Sequence, residues 1–251
     1  MDFTGKVVVI TGASSGIGEA LVYAFADRGA KVVMGARNSA KLAEIAAQLF
    51  TRGIESAFEA TDVTREEDCK RLIDKALSAF GRIDILICNA GISMRALFDD
   101  VQLDVLRQLM DVNFWGTVYC AKYALPALQA AKGTLVGVSS VAGMHGLPGR
   151  TGYSASKFAM TGLLETIRIE NLKKGVHVMV ACPGFTASNV RFSALTADGT
   201  SQGESPRNES KMMSAEEVAQ RIIRGIERHK RTLLMEFDGR ATSLIGKFAP
   251  G

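Results

Sequence analysis

The sequence lacks the features that mark a secreted, zinc-binding or membrane-spanning protein. Its four cysteines show no CxxC spacing and have no neighbouring histidine, which argues against a zinc site and against a disulfide scaffold. The longest stretch without a charged residue, Gly133–Gly149, contains five glycines and a proline and so cannot form a membrane helix. Because no basic and apolar leader opens the sequence, we expect a cytoplasmic location.

The chain also has little excess of charge of either sign. Thirty basic and 26 acidic side chains leave a net charge of only +4, too weak to indicate a nucleic-acid or membrane partner. Any anionic ligand must therefore be held by local chemistry. With 47% hydrophobic and 22% charged residues, the chain can bury one large core, so we expect a single domain over residues 1–251 with no bound metal.

Short apolar, β-branched runs alternate with segments of helical periodicity. Strands are predicted at Lys6–Thr11, Lys31–Ala36, Ile54–Ala60, Ile83–Cys88, Lys132–Ser140, Val176–Ala181 and Thr232–Glu236. Helices are predicted at Gly18–Arg28, Lys41–Arg52, Arg65–Phe80 and Ser154–Lys174. Thr64 with Glu67, and Ser214 with Glu217, have the spacing of helix-capping pairs. This alternation predicts an α/β fold: a doubly wound, Rossmann-type parallel sheet with helices on both faces.

Residues 186–213 interrupt the alternation with a long polar segment. Loops of this length in compact domains are usually functional or disordered, and this one follows the carboxyl end of a strand, where α/β sheets bind ligands. We therefore interpret it as a candidate substrate lid.

The segment Thr11–Gly18, TGASSGIG, follows the first predicted strand and opens a helix. Gly12 permits a tight turn, Gly16 lets the backbone approach a pyrophosphate, and Gly18 allows the helix to pack closely on the strand. The helix N-terminal amides would face the anion. A tight strand-to-helix connection without a ligand is the alternative.

The end of the second strand indicates which dinucleotide is bound. An NAD site usually has a carboxylate here for the ribose 2′-hydroxyl, whereas an arginine accommodates a 2′-phosphate. Ala36 occupies the carboxylate position and Arg37 follows it, which favours NADP(H) over NAD(H). A solvated arginine at a helix entrance is the alternative.

Tyr153 and Lys157 stand four residues apart in YSASK, on one face of a predicted helix. One charge about 4 Å from a phenol contributes about 4 kcal/mol at an effective dielectric constant of 20. That energy nearly suffices to lower a phenol pKa by about three units, towards the pH at which a general acid/base works. Ser140, at the end of the fifth strand, could hold the same substrate oxygen. An exposed amphipathic pair is the alternative.

Together these elements resemble the short-chain dehydrogenase/reductase family, from Lys6 to about Ser188. TGASSGIG resembles the family's cofactor motif, Asp62–Val63 its adenine contact, Asn89–Ala90–Gly91 its NAG motif, and Pro183–Gly184 its turn beside the nicotinamide. The catalytic tetrad that the resemblance implies is Asn113, Ser140, Tyr153 and Lys157. The implied cofactor contacts are Gly12, Ser14, Ser15, Gly16, Ile17, Gly18, Arg37, Asp62, Val63, Asn89, Ala90, Gly91, Tyr153, Lys157, Pro183, Gly184 and Ser188.

By this resemblance, Tyr153 is the acid/base, Lys157 lowers its pKa and holds the nicotinamide ribose, and Ser140 positions the carbonyl. Asn113 would support a water-linked proton relay, and Ser188 would bind the carboxamide. The family's carbonyl and hydroxysteroid reductases are the most similar branch, and relatives are commonly homodimers or homotetramers. An NADP-dependent epimerase or dehydratase and a non-catalytic NADP-sensing module are the alternatives.

Residues that follow strand ends should line the substrate pocket. Most of them are apolar, which indicates a small apolar ketone or secondary alcohol as substrate. The residues expected there are Ser93, Met94, His145, Leu147, Phe185, Val190 and Phe192.

Overall fold

A parallel sheet forms the centre of the computed structural model, which describes residues 2–186, 193–203 and 212–235. Its strands are β1 (Val7–Thr11), β2 (Lys31–Ala36), β3 (Ser56–Ala60), β4 (Ile85–Cys88), β5 (Thr134–Val138), β6 (His177–Cys182) and β7 (Thr232–Leu234). All neighbouring strands are parallel, in the order β3-β2-β1-β4-β5-β6-β7. The predicted doubly wound α/β fold is confirmed.

Helices connect the strands. They are α1 (Gly16–Ala26), α2 (Ser39–Thr51), α3 (Glu66–Phe80), α4 (Leu103–Met110), α5 (Gly116–Ala131), α6 (Thr151–Asn171) and α7 (Ala215–Glu227). A π-helical turn, Asp111–Trp115, joins α4 to α5, and 3₁₀ turns follow β5 at Val141–Gly143 and α6 at Leu172–Lys174.

The direction of the chain reverses beside β1. The chain first moves outwards from β1 to β2 and β3, and then crosses back to place β4 on the other side of β1. The connections after β1 and β4 therefore leave in opposite directions and open a crevice at the carboxyl edge of the sheet, which is where such sheets bind ligands.

Two apolar layers cover the sheet because successive strand residues point to opposite faces. Val8 and Ile10 of β1 pack in the layer that includes residues of α1, α2 and α7. Val7 and Val9 pack in the layer that includes residues of α3, α5 and α6. All five residues of β1 are consequently buried, as the apolar run in the sequence predicts for a strand covered on both sides.

Most of the predicted helices and strands begin and end within a few residues of the observed positions. One predicted helix cap is wrong. Ser214 caps α7 as expected, because its Oγ accepts a hydrogen bond from the Glu217 amide at 3.1 Å. The first turn of α3 has no side-chain cap; Arg65 stands at the cap position. The Thr64 hydroxyl instead donates to Oδ1 of Asp62, since the chain turns tightly there at the end of β3.

The candidate lid lies partly within the described residues. Residues 187–192 and 204–211 lie outside them, together with the predicted contacts Ser188, Val190 and Phe192. Leu195 forms a bridge beside Met94, with its amide donating to the Ser93 carbonyl at 2.8 Å. This described part of the segment therefore lies across the loop that follows β4.

Asp84 lies at the opposite edge of the sheet, where the chain enters β4. Its carboxylate accepts hydrogen bonds from the Val7 amide at 3.0 Å, from Lys6 at 3.2 Å and from two nitrogens of Arg82. The side chain is only 5% exposed. Burial favours the neutral acid, but these donors outweigh burial and lower the pKa of Asp84.

We expect Asp84→Asn to lower the free energy of unfolding by about 2 kcal/mol at pH 7, because the amide cannot accept all of these bonds. Since the folded-state pKa is lowered, the carboxylate stabilises the fold above the unfolded-state pKa, and the effect is lost as the pH falls through the folded-state value. Urea unfolding from pH 7 to pH 3 measures this. Asp74→Asn, in an exposed pair with Lys70, is the control and should change stability by less than about 0.5 kcal/mol. Equal losses in the two variants would contradict the assignment.

Candidate active site

A cavity of about 930 Å³ opens at the carboxyl edge of the sheet. Its walls come from the segments that follow β1, β2, β3, β4, β5 and β6, together with α4 and the π-helical turn, the beginnings of α1 and α6, and part of residues 193–203. Within the described residues, all of the predicted catalytic and cofactor-binding residues line it except Gly18 and Asn113.

The turn after β1 depends on two glycines. Gly12 has a φ of +66°, and a Cβ there would lie 2.9 Å from the Ala90 Cα. A Cβ on Gly18 would lie 2.1 Å from the Gly12 carbonyl oxygen, so α1 can approach this turn only with glycine at that position. Ser15 stands at the cap of α1 without a side-chain capping bond, and Gly16 and Ile17 line the cavity. The first-turn amides are thus arranged to bind an anion such as a pyrophosphate.

Hydrogen bonds join this turn to the segment after β4. The Thr11 hydroxyl accepts from the amides of Asn89 and Ala90, each at 3.0 Å. The Asn89 side chain donates back to the carbonyls of Thr11 and Gly12, at 3.0 and 3.3 Å. The crevice between β1 and β4 therefore has fixed walls. Thr11 was not predicted as a site residue, although it opens the glycine-rich motif.

Arg37 lies exposed at one end of the cavity, beyond buried Ala36. Asp62 and Val63 line the same end, with Val63 packed against the backbone of Gly116. The Asp62 carboxylate is held by the Thr64 amide and hydroxyl, at 3.0 and 2.8 Å. A guanidinium beside an apolar wall suits a phosphorylated ribose and an adenine ring. With the glycine turn, these residues fit a dinucleotide.

Tyr153 and Ser140 both line the cavity, with the Ser140 hydroxyl near enough to the phenol to favour its ionised form. Ser140 precedes the 3₁₀ turn after β5, and its Oγ accepts from the Ala142 amide at 3.2 Å. Burial raises the pKa of Tyr153, whereas the Ser140 hydroxyl and the charge of Arg150 act to lower it. In the protein alone, the phenol is therefore a weaker acid than free tyrosine.

Lys157 lies one helical turn beyond Tyr153 and is 3% exposed. Its Nζ donates to the Val138 carbonyl at 2.9 Å and lies 5.9 Å from the centre of the Tyr153 ring. Burial lowers the pKa of Lys157 to about 8, so the ammonium form still predominates at pH 7. The side chain thus places a positive charge on the cavity wall beside the phenol.

Asn113 lies in the π-helical turn and is fully buried. Its side-chain nitrogen donates to the Ile92 carbonyl at 3.0 Å and to the Ser156 hydroxyl at 2.9 Å, and its oxygen accepts from the Ile92 amide at 2.9 Å. The side chain therefore joins the segment after β4 to α6. Only the folded structure shows the π turn that brings this asparagine inwards.

Three of the expected pocket residues line the cavity: Ser93, Leu147 and Phe185. Met94 does not, because it is buried against Val105 and Leu109 of α4. His145 also lies off the cavity wall. Residues that the sequence reasoning missed include Thr186 and Arg150. Arg150 belongs to no local sequence motif. Its position three residues before Tyr153 is the only feature of the sequence that connects it with the site.

Comparisons with known proteins find relatives of this chain by sequence and by structure. A family model described as short chain dehydrogenase matches residues 6–198. A Drosophila melanogaster protein named dehydrogenase/reductase SDR family protein 7-like is 34% identical, over 92% of this chain and 72% of its own length. An Arabidopsis thaliana protein named 11-beta-hydroxysteroid dehydrogenase-like 2 is 40% identical, over 74% of this chain and 61% of its own length. The chain thus spans less than two thirds of the second relative.

Solved structures share the fold. An alcohol dehydrogenase from Thermococcus sibiricus, complexed with 5-hydroxy-NADP, is 28% identical with a TM-score of 0.79, over 91% of this chain and 93% of that one. A short chain dehydrogenase/reductase from Burkholderia phymatum, in complex with NAD, is 25% identical with a TM-score of 0.89, over 99% and 95% of the two chains. The two neighbours hold different dinucleotides, so the fold does not decide between NAD and NADP.

We expect Gly18→Ala to destabilise the fold by about 2 kcal/mol or more and to weaken dinucleotide binding at least tenfold, because the added Cβ must displace the Gly12 carbonyl. Gly162→Ala is the matched control, since Gly162 lies in α6 with open space around it. That change should stabilise the protein by up to about 1 kcal/mol through helix propensity. Thermal unfolding and titration with NADPH measure both effects. Wild-type stability and affinity in Gly18→Ala would show that the close approach is dispensable.

Proposed function

Because this chain belongs to the short-chain dehydrogenase family, it is an NAD(P)-dependent oxidoreductase, and we propose that it transfers hydride between NADP(H) and an apolar ketone or secondary alcohol. The observation that carries the proposal is that Tyr153, Ser140 and the buried Lys157 line one cavity, with the Lys157 Nζ 5.9 Å from the centre of the Tyr153 ring.

In this proposal, the hydroxyls of Tyr153 and Ser140 both bind the oxygen of the substrate. In reduction, Tyr153 donates its proton to the carbonyl oxygen as the neighbouring carbon receives hydride; in oxidation, the phenolate takes the alcohol proton. Ser140 donates a hydrogen bond that orients the same oxygen. Tyr153 and Ser140 are thus the proposed catalytic pair.

Lys157 stabilises the phenolate that Tyr153 leaves behind. Its ammonium is held by the Val138 carbonyl and is predominantly charged at pH 7. Burial alone raises the pKa of Tyr153, so added positive charge is needed to make the phenol acidic. A nicotinamide bound in the cavity would supply or accept the hydride and, when oxidised, would add positive charge there. Asn113 contributes by holding α6 against the segment after β4, and its part in a proton relay stays a prediction.

The residues proposed to hold the dinucleotide follow the cavity from end to end. The turn Gly12–Gly18 binds the pyrophosphate, with Ser14 and Ser15 on its rim; Asp62 and Val63 contact the adenine. Asn89, Ala90 and Gly91 form the central wall. Pro183 and Gly184, which line the cavity, would hold the nicotinamide, and Ser188, outside the described residues, is proposed to bind its carboxamide.

The preference for NADP rests on the end of β2. Ala36 offers no carboxylate to the ribose 2′-hydroxyl, and the exposed Arg37 lines the cavity beside it. A 2′-phosphate carries about two negative charges, which a guanidinium binds strongly through bidentate hydrogen bonds.

The substrate end of the cavity supports the proposed substrate class. Ile92, Leu147, Phe185 and Leu195 supply apolar surface around the hydroxyl pair. Part of the candidate lid, residues 193–203, contributes to this wall, which supports a role for residues 186–213 in covering the substrate.

Self-association as a homodimer or homotetramer stays a prediction. Trp115, 43% exposed, stacks on Tyr119, and Phe158 of α6 is 46% exposed. These rings support association through α5 and α6. Every helix in the described residues is too short or too polar to span a bilayer. The cytoplasmic location expected from the sequence stays a prediction.

We expect Tyr153→Phe to lower kcat/KM for ketone reduction by a factor of about 10²–10⁴, because the ring remains but its proton is lost. NADPH oxidation, followed by absorbance with a panel of apolar ketones, measures turnover, and fluorescence titration should give an unchanged Kd for NADPH. Tyr23→Phe, which removes an exposed hydroxyl bonded to Gln48, is the control and should retain full activity. Full turnover by Tyr153→Phe would refute the acid/base role, and NADPH binding without turnover of any ketone would favour a sensing module.

We expect Arg37→Gln to raise the Kd for NADPH by a factor of about 10–100, because charge-assisted hydrogen bonds to the 2′-phosphate are lost. The Kd for NADH should change by a factor of less than about two, since NADH carries no such phosphate. Calorimetric titration with both nucleotides measures this. Arg224→Gln, which makes the same charge change on α7 away from the cavity, should affect neither. An equal loss for NADPH and NADH would contradict the NADP assignment.

A further inference from the structure

The amino edge of the sheet, opposite the cavity, is formed by the turns that lead into the strands. Because neighbouring strands are parallel, the turns before β5, β6 and β7 lie side by side at this edge. Hydrogen bonds join their backbones: the His177 amide donates to the Gly133 carbonyl, and the Val180 amide donates to the Arg231 carbonyl, each at 2.9 Å. The three turns therefore form one continuous surface.

Six exposed cations lie on this surface, which we call the basic patch. They are Lys132 before β5, Lys173 and Lys174 before β6, and Arg228, Lys230 and Arg231 before β7. A Cβ added to Gly175 would lie 3.4 Å from the Cγ of Lys132, so the first two turns are in contact. The His177 Nε2 donates to the Lys230 carbonyl at 2.9 Å, which joins the second turn to the third. The fold thus gathers cations from three distant parts of the sequence.

The charges of the basic patch are not neutralised locally. Within the part of the chain that the structure describes, no salt bridge involves any of the six cations. The carboxylates at the ends of the same helices are Glu170 and Glu227, which leave a formal excess of four positive charges at this surface. Since the whole chain carries a net charge of +4, the rest of it is formally neutral.

The other half of the same edge, at the entrances to β1, β2, β3 and β4, has a different charge arrangement. Carboxylates there pair with the cations that lie at the ends of helices and strands. The pairs are Lys6–Asp84, Arg82–Asp84, Lys31–Glu55 and Arg52–Asp27. The two halves of one edge therefore differ in charge, although the same kinds of turn build both.

Helix ends account for only part of the basic patch. The helices α5, α6 and α7 all end at this surface, and the carbonyl groups of a helix C-terminus attract cations as about half a negative charge. Three helix ends supply about 1.5 negative charges, fewer than the six cations present. The remaining like charges repel one another, so an anionic partner would stabilise the surface.

Exposed apolar side chains lie beside the cations. Leu172, directly before Lys173, is 56% exposed, and Ile169, three residues earlier at the end of α6, is 61% exposed. An anionic bilayer binds such a combination, because the cations contact its headgroups while the apolar side chains reach the boundary with the acyl chains.

A single-stranded nucleic acid suits this surface less well. Its bases usually stack on aromatic side chains. In the described part of the chain, the exposed phenylalanine and tryptophan side chains lie outside these three turns: Phe50, Phe98, Trp115 and Phe158. The basic patch therefore has charge and aliphatic surface but lacks such a stacking platform.

We propose that the basic patch, together with Leu172, docks this protein on an anionic lipid bilayer. The cations bind the headgroups, and Leu172 enters the boundary with the acyl chains. The cavity lies at the opposite edge of the sheet and so faces away from the bilayer. The docking is independent of the proposed hydride transfer.

Co-sedimentation with vesicles tests the docking. In about 0.1 M NaCl, we expect vesicles of phosphatidylcholine with about 30% phosphatidylserine to bind the protein at least about tenfold more tightly than pure phosphatidylcholine vesicles, and about 0.5 M NaCl should remove most of this difference. Replacing Lys173 and Lys174 together by glutamine should weaken binding to the anionic vesicles by a factor of about 10–30, since each lysine near such a surface contributes a factor of about five.

The matched control replaces Lys75 and Lys122, which are exposed on α3 and α5, together by glutamine. This variant has the same net charge and should bind the anionic vesicles within a factor of about two of the wild type. Both double variants should retain the wild-type melting temperature. Equal losses of binding in the two, or a wild type without preference for anionic vesicles, would overturn the proposal.

Soluble polyanions distinguish a bilayer from other anionic partners. Leu172→Ser should weaken binding to the anionic vesicles by a factor of about 3–10, because an apolar contact is lost, and should leave binding to polyglutamate and to a single-stranded RNA unchanged. Tighter binding of either polymer than of the vesicles would assign the surface to an acidic protein or to a nucleic acid and refute the lipid assignment. Vesicle binding that Leu172→Ser does not weaken would also refute it.

Tryptophan fluorescence tests the orientation. The single tryptophan, Trp115, ends the π-helical turn, and Asp111 and Val112 of that turn line the cavity. Brominated lipids quench a tryptophan that enters the bilayer, so Trp115 should stay unquenched when the wild type is bound to anionic vesicles. Leu172→Trp in a Trp115→Phe background should be quenched. Any other pattern would show that a different surface contacts the lipid and would overturn the proposal.

Discussion

The hydrogen bonds between Thr11 and Asn89 fix the geometry on which the rest of the site depends. They cross the point where the sheet reverses direction, and they couple the glycine turn after β1 to the segment after β4. Without them, the two walls of the crevice would be joined only by strand pairing farther down, since the register between β1 and β4 ends at Ile10 and Ile87. The second wall continues through Ile92 to Asn113 and from there to α6. The same polar chain therefore positions the helix that carries Tyr153 and Lys157.

Burial acts on the central tyrosine and lysine in opposite directions on the pKa scale, and in both cases it favours the neutral form. It raises the pKa of Tyr153 and lowers that of Lys157 to about 8. The fold thus accepts an electrostatic cost at this pair, as sites that handle protons commonly do. The simple estimate of one charge about 4 Å from the phenol omitted this cost. A second cation, Arg150, and the positive charge of an oxidised nicotinamide then become part of the same balance.

The sequence was sufficient for the architecture because strands buried on both faces leave continuous apolar runs, and helices leave a separate period. It was less reliable at element ends, where turn geometry competes with local signals: Thr64 bonds to Asp62 instead of capping α3. Within the site, Tyr153, Lys157 and the glycine turn could be predicted from the sequence, because the residues that act together there lie close to one another along the chain. Arg150 and Ser93 are 57 residues apart and meet only through the fold, so no local pattern could pair them.

The net charge of the chain gave little information about its ligands, because binding depends on where individual charges lie. The total is only +4, yet arginines stand at two separate positions on the wall of one cavity, Arg37 beside the end of β2 and Arg150 beside the start of α6. Arg37 is exposed and Arg150 is partly buried, so solvent screens the two charges to different degrees. The positions of individual charges on the cavity wall therefore decide which ligands bind there, and the net charge of the chain does not record those positions.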